Sequence, residues 1–103
     1  MMARATQFAE RFGTNLAHRR RAAAISQELL GDLAALHRTA VGQLERGERV
    51  ARADNLVKLA AALGVDANTL LEGIIWTPPR LDTGSFGFND PGGARRGDQR
   101  EAA

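Results

Sequence analysis

Residues 25–47 read ISQELLGDLAALHRTAVGQLERG, and this stretch decides the fold. Ser26 is a strong N-cap ahead of Leu29, Leu30, Leu33 and Ala34, whose spacing predicts a helix over about 27–34 with those four residues buried. Leu36 interrupts the pattern. A second helix over about 38–46 then carries Val41 and Leu44 inward, and Gly47 is a natural terminator. Two short helices joined by a three-residue turn, with further helices on either side, have the geometry that lays the second one across a major groove. Its outward positions are then Arg38, Thr39, Gly42, Gln43 and Arg46. Arg can donate twice to guanine O6 and N7, Gln can bond adenine, and the Thr methyl can meet a thymine methyl. The free N–H groups at the start of the first helix, at Gln27, suit a phosphate. A solvated helical face carries the same residue types, so these positions alone leave both readings open.

The flanks extend the helical pattern. Phe8, Phe12, Leu16 and Ala23, joined by Arg20, predict a helix over about 6–24 with Thr6 as N-cap, locally weakened by Gly13. Beyond the polar loop Glu48–Ala53, a helix over about 54–63 buries Leu56, Leu59, Ala60 and Leu63 and ends at Gly64. Asp66 then caps a short fifth helix with Leu70 and Leu71 inward, closed by Gly73. After Gly73 the character changes. Ile74-Ile75-Trp76-Thr77 is β-prone, Pro78-Pro79 bars a helix, and Phe86 and Phe88 alternate beyond a turn signal at Asp82-Thr83-Gly84. Residues 74–88 are therefore a small hairpin or an extended arm, and 89–103, without apolar pattern, are expected to be disordered. The organisation expected is a helical domain at 6–73, an arm at 74–88 and a tail at 89–103.

Composition bounds the function. A chain of 103 residues holds one domain, and 44% apolar with 25% charged residues is a globular balance. There is no cysteine and only two histidines, His18 and His37, so no metal site is expected and no cofactor is implied. With no nucleophile–base constellation and no glycine-rich phosphate loop, an enzyme is not expected. No membrane-length apolar run or signal peptide is present, which reads as a cytoplasmic protein. The net charge is only +2, but residues 1–50 hold eight Arg against five acids, so the positive excess lies in the first half. That permits nucleic-acid binding without requiring it.

Two charges fall on apolar stripes: Arg20 four residues after Leu16, and Glu45 four after Val41. A core-facing charge is costly unless paired, so either the two pair with each other and lock the first helix to the third, or both snorkel outward.

Ile25-Ser26-Gln27-Glu28-Leu29-Leu30-Gly31-Asp32-Leu33, Val41-Gly42-Gln43-Leu44-Glu45-Arg46-Gly47 and Asn55–Asp66 together resemble the Cro/cI (Xre-type) repressor family over about residues 12–73. The resemblance implies an all-α, five-helix, lambda-repressor-like DNA-binding domain, here followed by the extended or β arm. It further implies a transcriptional regulator that binds double-stranded DNA, usually as a homodimer on a palindromic operator. By the same resemblance, Gln27 matches a phosphate contact, Arg38, Thr39 and Gln43 match base-reading positions, and Arg46 matches a backbone contact. Arg20 and Glu45 match a buried ion pair. With His37 and Arg49 added, the expected DNA-facing set is Gln27, His37, Arg38, Thr39, Gln43, Arg46 and Arg49.

The chain also departs from that family's pattern. Ala35 stands where a Gly is usual in the turn, at a penalty of roughly 1 kcal/mol if φ is positive. Gly31 stands where a small residue lets the two helices approach. His37 replaces the usual Ser or Thr, so weaker capping is expected there; it is a structural residue or a phosphate contact. Ala40 and Gly42 leave few base-reading side chains, which throws weight onto DNA shape. For the arm, Ile74, Ile75, Trp76, Phe86 and Phe88 either fold back over the helical core or make a dimer contact. A second class of function is an antitoxin-like interaction module whose 74–88 segment holds a partner protein.

Overall fold

The structure, a computed structural model, describes residues 4–81 and 83–89, so the expectation for the tail beyond Asn89 lies outside the described residues. Five helices are followed by a two-stranded antiparallel sheet: α1 Arg4–Ala22, α2 Gln27–Ala34, α3 Arg38–Glu45, α4 Ala53–Leu63, α5 Ala67–Leu70, β1 Ile74–Thr77 and β2 Ser85–Phe88. No helix among the described residues is long and apolar enough to cross a membrane.

One core joins all five helices. Phe12 and Leu16 of α1, Leu30 and Ala34 of α2, Val41 and Leu44 of α3, Leu59 and Ala60 of α4 and Leu70 of α5 form a single buried cluster. Phe8, Ile25, Leu36, Leu56, Leu63 and Leu71 pack around it. The periodic apolar residues of the sequence thus supply nearly all of it, with two corrections. Leu29 and Leu33 point outward, 42% and 56% exposed. The row Leu30–Ala34 is turned about 100° from the row Leu29–Leu33, and an eight-residue helix can bury only one of them. Gly31 decides which: a Cβ there would stand 2.5 Å from the Leu36 carbonyl oxygen, so the Gly31 side must face the turn into α3. Ala23 is also exposed, because α1 ends at Ala22 and the chain turns at Ala24, whose φ is 60°.

Local chemistry sets the helix ends. Arg4 and Ala5 are good helix formers, so α1 runs past Thr6, which lies in its first turn instead of capping it. Arg19, Arg20 and Arg21 close α1 at the negative end of its dipole. Ser26 Oγ accepts from the Leu29 N–H at 2.9 Å and starts α2. The α2–α3 turn passes through Ala35 in the left-handed region (φ 57°), and the Leu36 N–H donates to the Gly31 carbonyl at 2.8 Å. His37 caps α3 after all, its Nδ1 accepting from the Thr39 N–H at 3.0 Å. A ring nitrogen here takes the place of the usual hydroxyl oxygen.

The sheet pairs Ile74 with Phe88, Ile75 with Gly87, Trp76 with Phe86 and Thr77 with Ser85. Ile74, Trp76, Phe86 and Phe88 therefore share one face. Phe86 packs on Phe8 of α1 with ring centroids 5.5 Å apart and holds Trp76 edge-on at 5.0 Å. Arg11 of α1 fixes the end of the hairpin: its Nη2 donates to the Asn89 carbonyl and its guanidinium lies 5.9 Å from the centre of the Phe88 ring. The arm thus folds back on α1, yet it leaves Ile75 45% and Trp76 43% exposed.

Candidate nucleic-acid interface

The helix that presents the candidate site is braced from beneath. Arg20 Nε donates to Glu45 Oε2 at 2.6 Å and Arg20 Nη2 to Glu45 Oε1 at 3.0 Å, a two-point pair with side chains only 13% and 5% exposed. The third donor, Nη1, reaches the Ile25 carbonyl at 2.9 Å. One guanidinium thus joins the end of α1, the entry to α2 and the end of α3, and the alternative in which both charges snorkel outward is set aside. Hydrogen bonding to Glu45 raises Arg20 above the ordinary arginine value. Gly13 lets these elements close up, because a Cβ there would collide with the Leu44 carbonyl oxygen and lie 2.6 Å from that of Glu45.

On this base the outward side chains fall into place. Gln27, at the first position of α2, is half-buried and its Nε2 donates to Glu45 Oε1 at 2.9 Å. Its amide is anchored inward while its backbone N–H belongs to the open first turn of the helix. Arg38 and Thr39 occupy the exposed first turn of α3, with Arg38 Nη1 at 3.9 Å from Glu28 Oε1. Gln43 follows one turn later, and its Oε1 accepts from Arg49 Nη1 at 3.2 Å. Arg46, at the end of α3, donates through Nε to Glu48 Oε2 at 2.7 Å and through Nη2 to Oε1 at 3.3 Å. Those hydrogen bonds hold the Glu48 carboxyl below the ordinary carboxylate range.

Gly42 departs from expectation. It is buried, because the Arg46 guanidinium and the Gln27 amide close over it, and a Cβ there would stand 3.0 Å from Arg46 Nη1. Ile74, Ile75, Trp76, Phe86 and Phe88 lie together in the hairpin, tied to α1 through Phe86 and Arg11.

Several structural residues were missed by the sequence reading. Asn15 donates from Nδ2 to the Leu70 and Glu72 carbonyls, each at 3.0 Å, and so ties α1 to α5. Arg19 reinforces that tie with an ion pair to Glu72 at 3.2 Å. Asn15 lies one residue before Leu16 on the apolar stripe, a position that could have marked it as a buried polar group needing partners. Glu48 gave no signal at all in the sequence.

A capped helix, a three-residue turn and a second helix showing its polar face, set in a five-helix core, define a helix-turn-helix domain of the Cro/cI type. The chain belongs to that family: the family model described as Helix-turn-helix (HTH_3) matches residues 16–70. Over 48 residues it is 44% identical to the control protein C.BamHI of Bacillus amyloliquefaciens, an alignment covering 47% of this chain and 59% of that protein. The chain thus spans about three-fifths of that relative's length. Among solved structures it is similar to the restriction-modification controller protein C.AhdI from Aeromonas hydrophila, at 38% identity and a TM-score of 0.62 over 63% of this chain and 94% of that one. The DNA-binding domain of the P22 c2 repressor is similar at 32% identity and a TM-score of 0.58, over 60% of this chain and 82% of its own.

Proposed function

We propose that this chain is a sequence-specific DNA-binding transcriptional regulator, a repressor that works in the cytoplasm and binds a palindromic operator as a homodimer. One observation carries the reading. Arg38, Thr39, Gln43 and Arg46 stand along the outward side of α3 beside the first turn of α2, on a helix fixed from below by a buried ion pair. Arg38, Thr39 and Gln43 read base edges, while Gln27, Arg46, Arg49 and His37 position the phosphate backbone. The names of the relatives, a control protein, a controller protein and a repressor, agree with this.

A homodimer supplies the symmetry a palindrome needs, with the two α3 helices about one DNA turn, roughly 34 Å, apart. The 74–88 hairpin is the proposed contact, because Ile75, Trp76 and Phe88 remain exposed after Phe86 has packed on Phe8.

Paired substitutions test the division of labour. Arg38→Ala should lower affinity for the specific duplex by ~1–3 kcal/mol and relax selection at one base pair. Arg46→Ala should weaken specific and random duplexes alike and reduce the salt slope. Equal losses on specific and random DNA for Arg38→Ala would remove its base-reading role.

A further inference from the structure

We infer that Arg49 sets which base Gln43 reads, by engaging the acceptor end of its amide. The inference rests on the DNA-binding reading above. Two contacts fold the loop after α3 back onto Gln43: the Glu48 N–H donates to the Gln43 carbonyl at 2.9 Å, and Arg49 Nη1 donates to Gln43 Oε1 at 3.2 Å. Glu48 turns its carboxylate to Arg46, and among the described residues it makes no ion pair with Arg49. Arg49 makes no ion pair among the described residues, so its guanidinium is left to Gln43 and to whatever approaches from outside.

The consequence is chemical. A free glutamine amide reads adenine with both ends, its oxygen accepting from N6 and its nitrogen donating to N7. With a charged donor on Oε1, that oxygen is a poorer and less accessible acceptor, and Gln43 presents its Nε2 hydrogens. A donor matches guanine, whose major-groove edge offers two acceptors, N7 and O6, and no donor beside them. Arg49 thereby turns an adenine reader into a guanine reader without touching the base.

The test is selection from a random duplex library with the wild-type chain, Gln43→Ala, Arg49→Met and Arg49→Lys, each first shown to melt as the wild type does. Gln43→Ala identifies the base pair concerned, as the position whose preference collapses. At that position the wild type should prefer guanine over adenine, Arg49→Met should move the ratio toward adenine by about tenfold, and Arg49→Lys, which keeps a charged donor, should hold the guanine preference. A wild-type preference for adenine there overturns the inference. So does an Arg49→Met profile that loses affinity with its base order unchanged, the mark of a simple phosphate contact. If the wild type enriches a motif and only the order fails to shift, the inference falls alone; if it enriches none, the DNA-binding reading falls and takes the inference with it.

Discussion

Arg20 and Glu45 interrupt apolar stripes on two different helices, and that was the sequence's sharpest single clue at the residue scale. Burial of a charge without a partner is so unfavourable that two such residues in one small chain constrain each other. The structure adds what spacing alone did not carry, namely that the pair also holds Gln27 and the Ile25 carbonyl. Arg20→Ala leaves the buried Glu45 carboxylate without a counter-charge, held only by the Gln27 amide, and should lower unfolding stability by ~3–5 kcal/mol in chemical denaturation. A loss under about 1 kcal/mol, as for a surface pair, would show that the carboxylate finds water instead.

The exposed pair of Arg46 and Glu48 behaves differently. Glu48 is held below the ordinary carboxylate range in the folded chain, first by the Arg46 hydrogen bonds. A carboxyl depressed in the folded state contributes stability above its unfolded value, and that contribution is lost as pH falls through the folded value. Wild type and Glu48→Gln should therefore differ slightly in melting temperature at neutral pH, with the wild type higher, and converge in acid. A difference that persists in acid would point to packing and not charge. Glu48 was illegible in the sequence because an acid two residues after an Arg marks nothing by itself; the pairing depends on the turn at Gly47.

At the scale of elements, the helices were legible because their apolar periodicity and caps agree: Ser26 starts α2, Gly64 follows α4, and Val41 and Leu44 face the core. What failed was orientation within α2, where Leu29 and Leu33 looked as core-like as Leu30. Periodicity in eight residues does not tell two adjacent apolar rows apart. The steric demand of Gly31 does, but only once the position of α3 is known.

The same turn carries a backbone prediction. Ala35 sits at φ 57°, where a Cβ is unfavourable and glycine is not. Ala35→Gly should stabilise the chain by about 0.5–1 kcal/mol, measured as a shift in denaturant midpoint at constant m-value. Destabilisation would mean that the unfolded-chain entropy of glycine outweighs the relief of strain.

For the whole molecule, the helical domain and the hairpin are joined through α1. Phe8 and Arg11 hold the hairpin, Asn15 and Arg19 hold α5, and Gly13 and Arg20 meet α3. The sequence left open whether the arm covers the core or contacts a second copy. The structure shows that one face covers α1, and the exposed apolar residues are the ground for proposing the second role as well. Truncation after Gly73 should reduce the dimeric fraction and weaken operator binding more than Arg38→Ala or Gln43→Ala does. Unchanged mass and affinity in the truncated chain would confine the hairpin to covering α1.

The central claim is that α3 reads a symmetric DNA site. Its most direct test is selection of bound sequences from a random duplex library at physiological salt, with the mass of the free protein and of the complex recorded alongside. The account predicts a palindromic motif, half-sites spaced by about one helical turn, and two chains per duplex. Recovery of no motif, with binding that vanishes as salt rises, would contradict it and leave a helix-turn-helix scaffold serving some other partner.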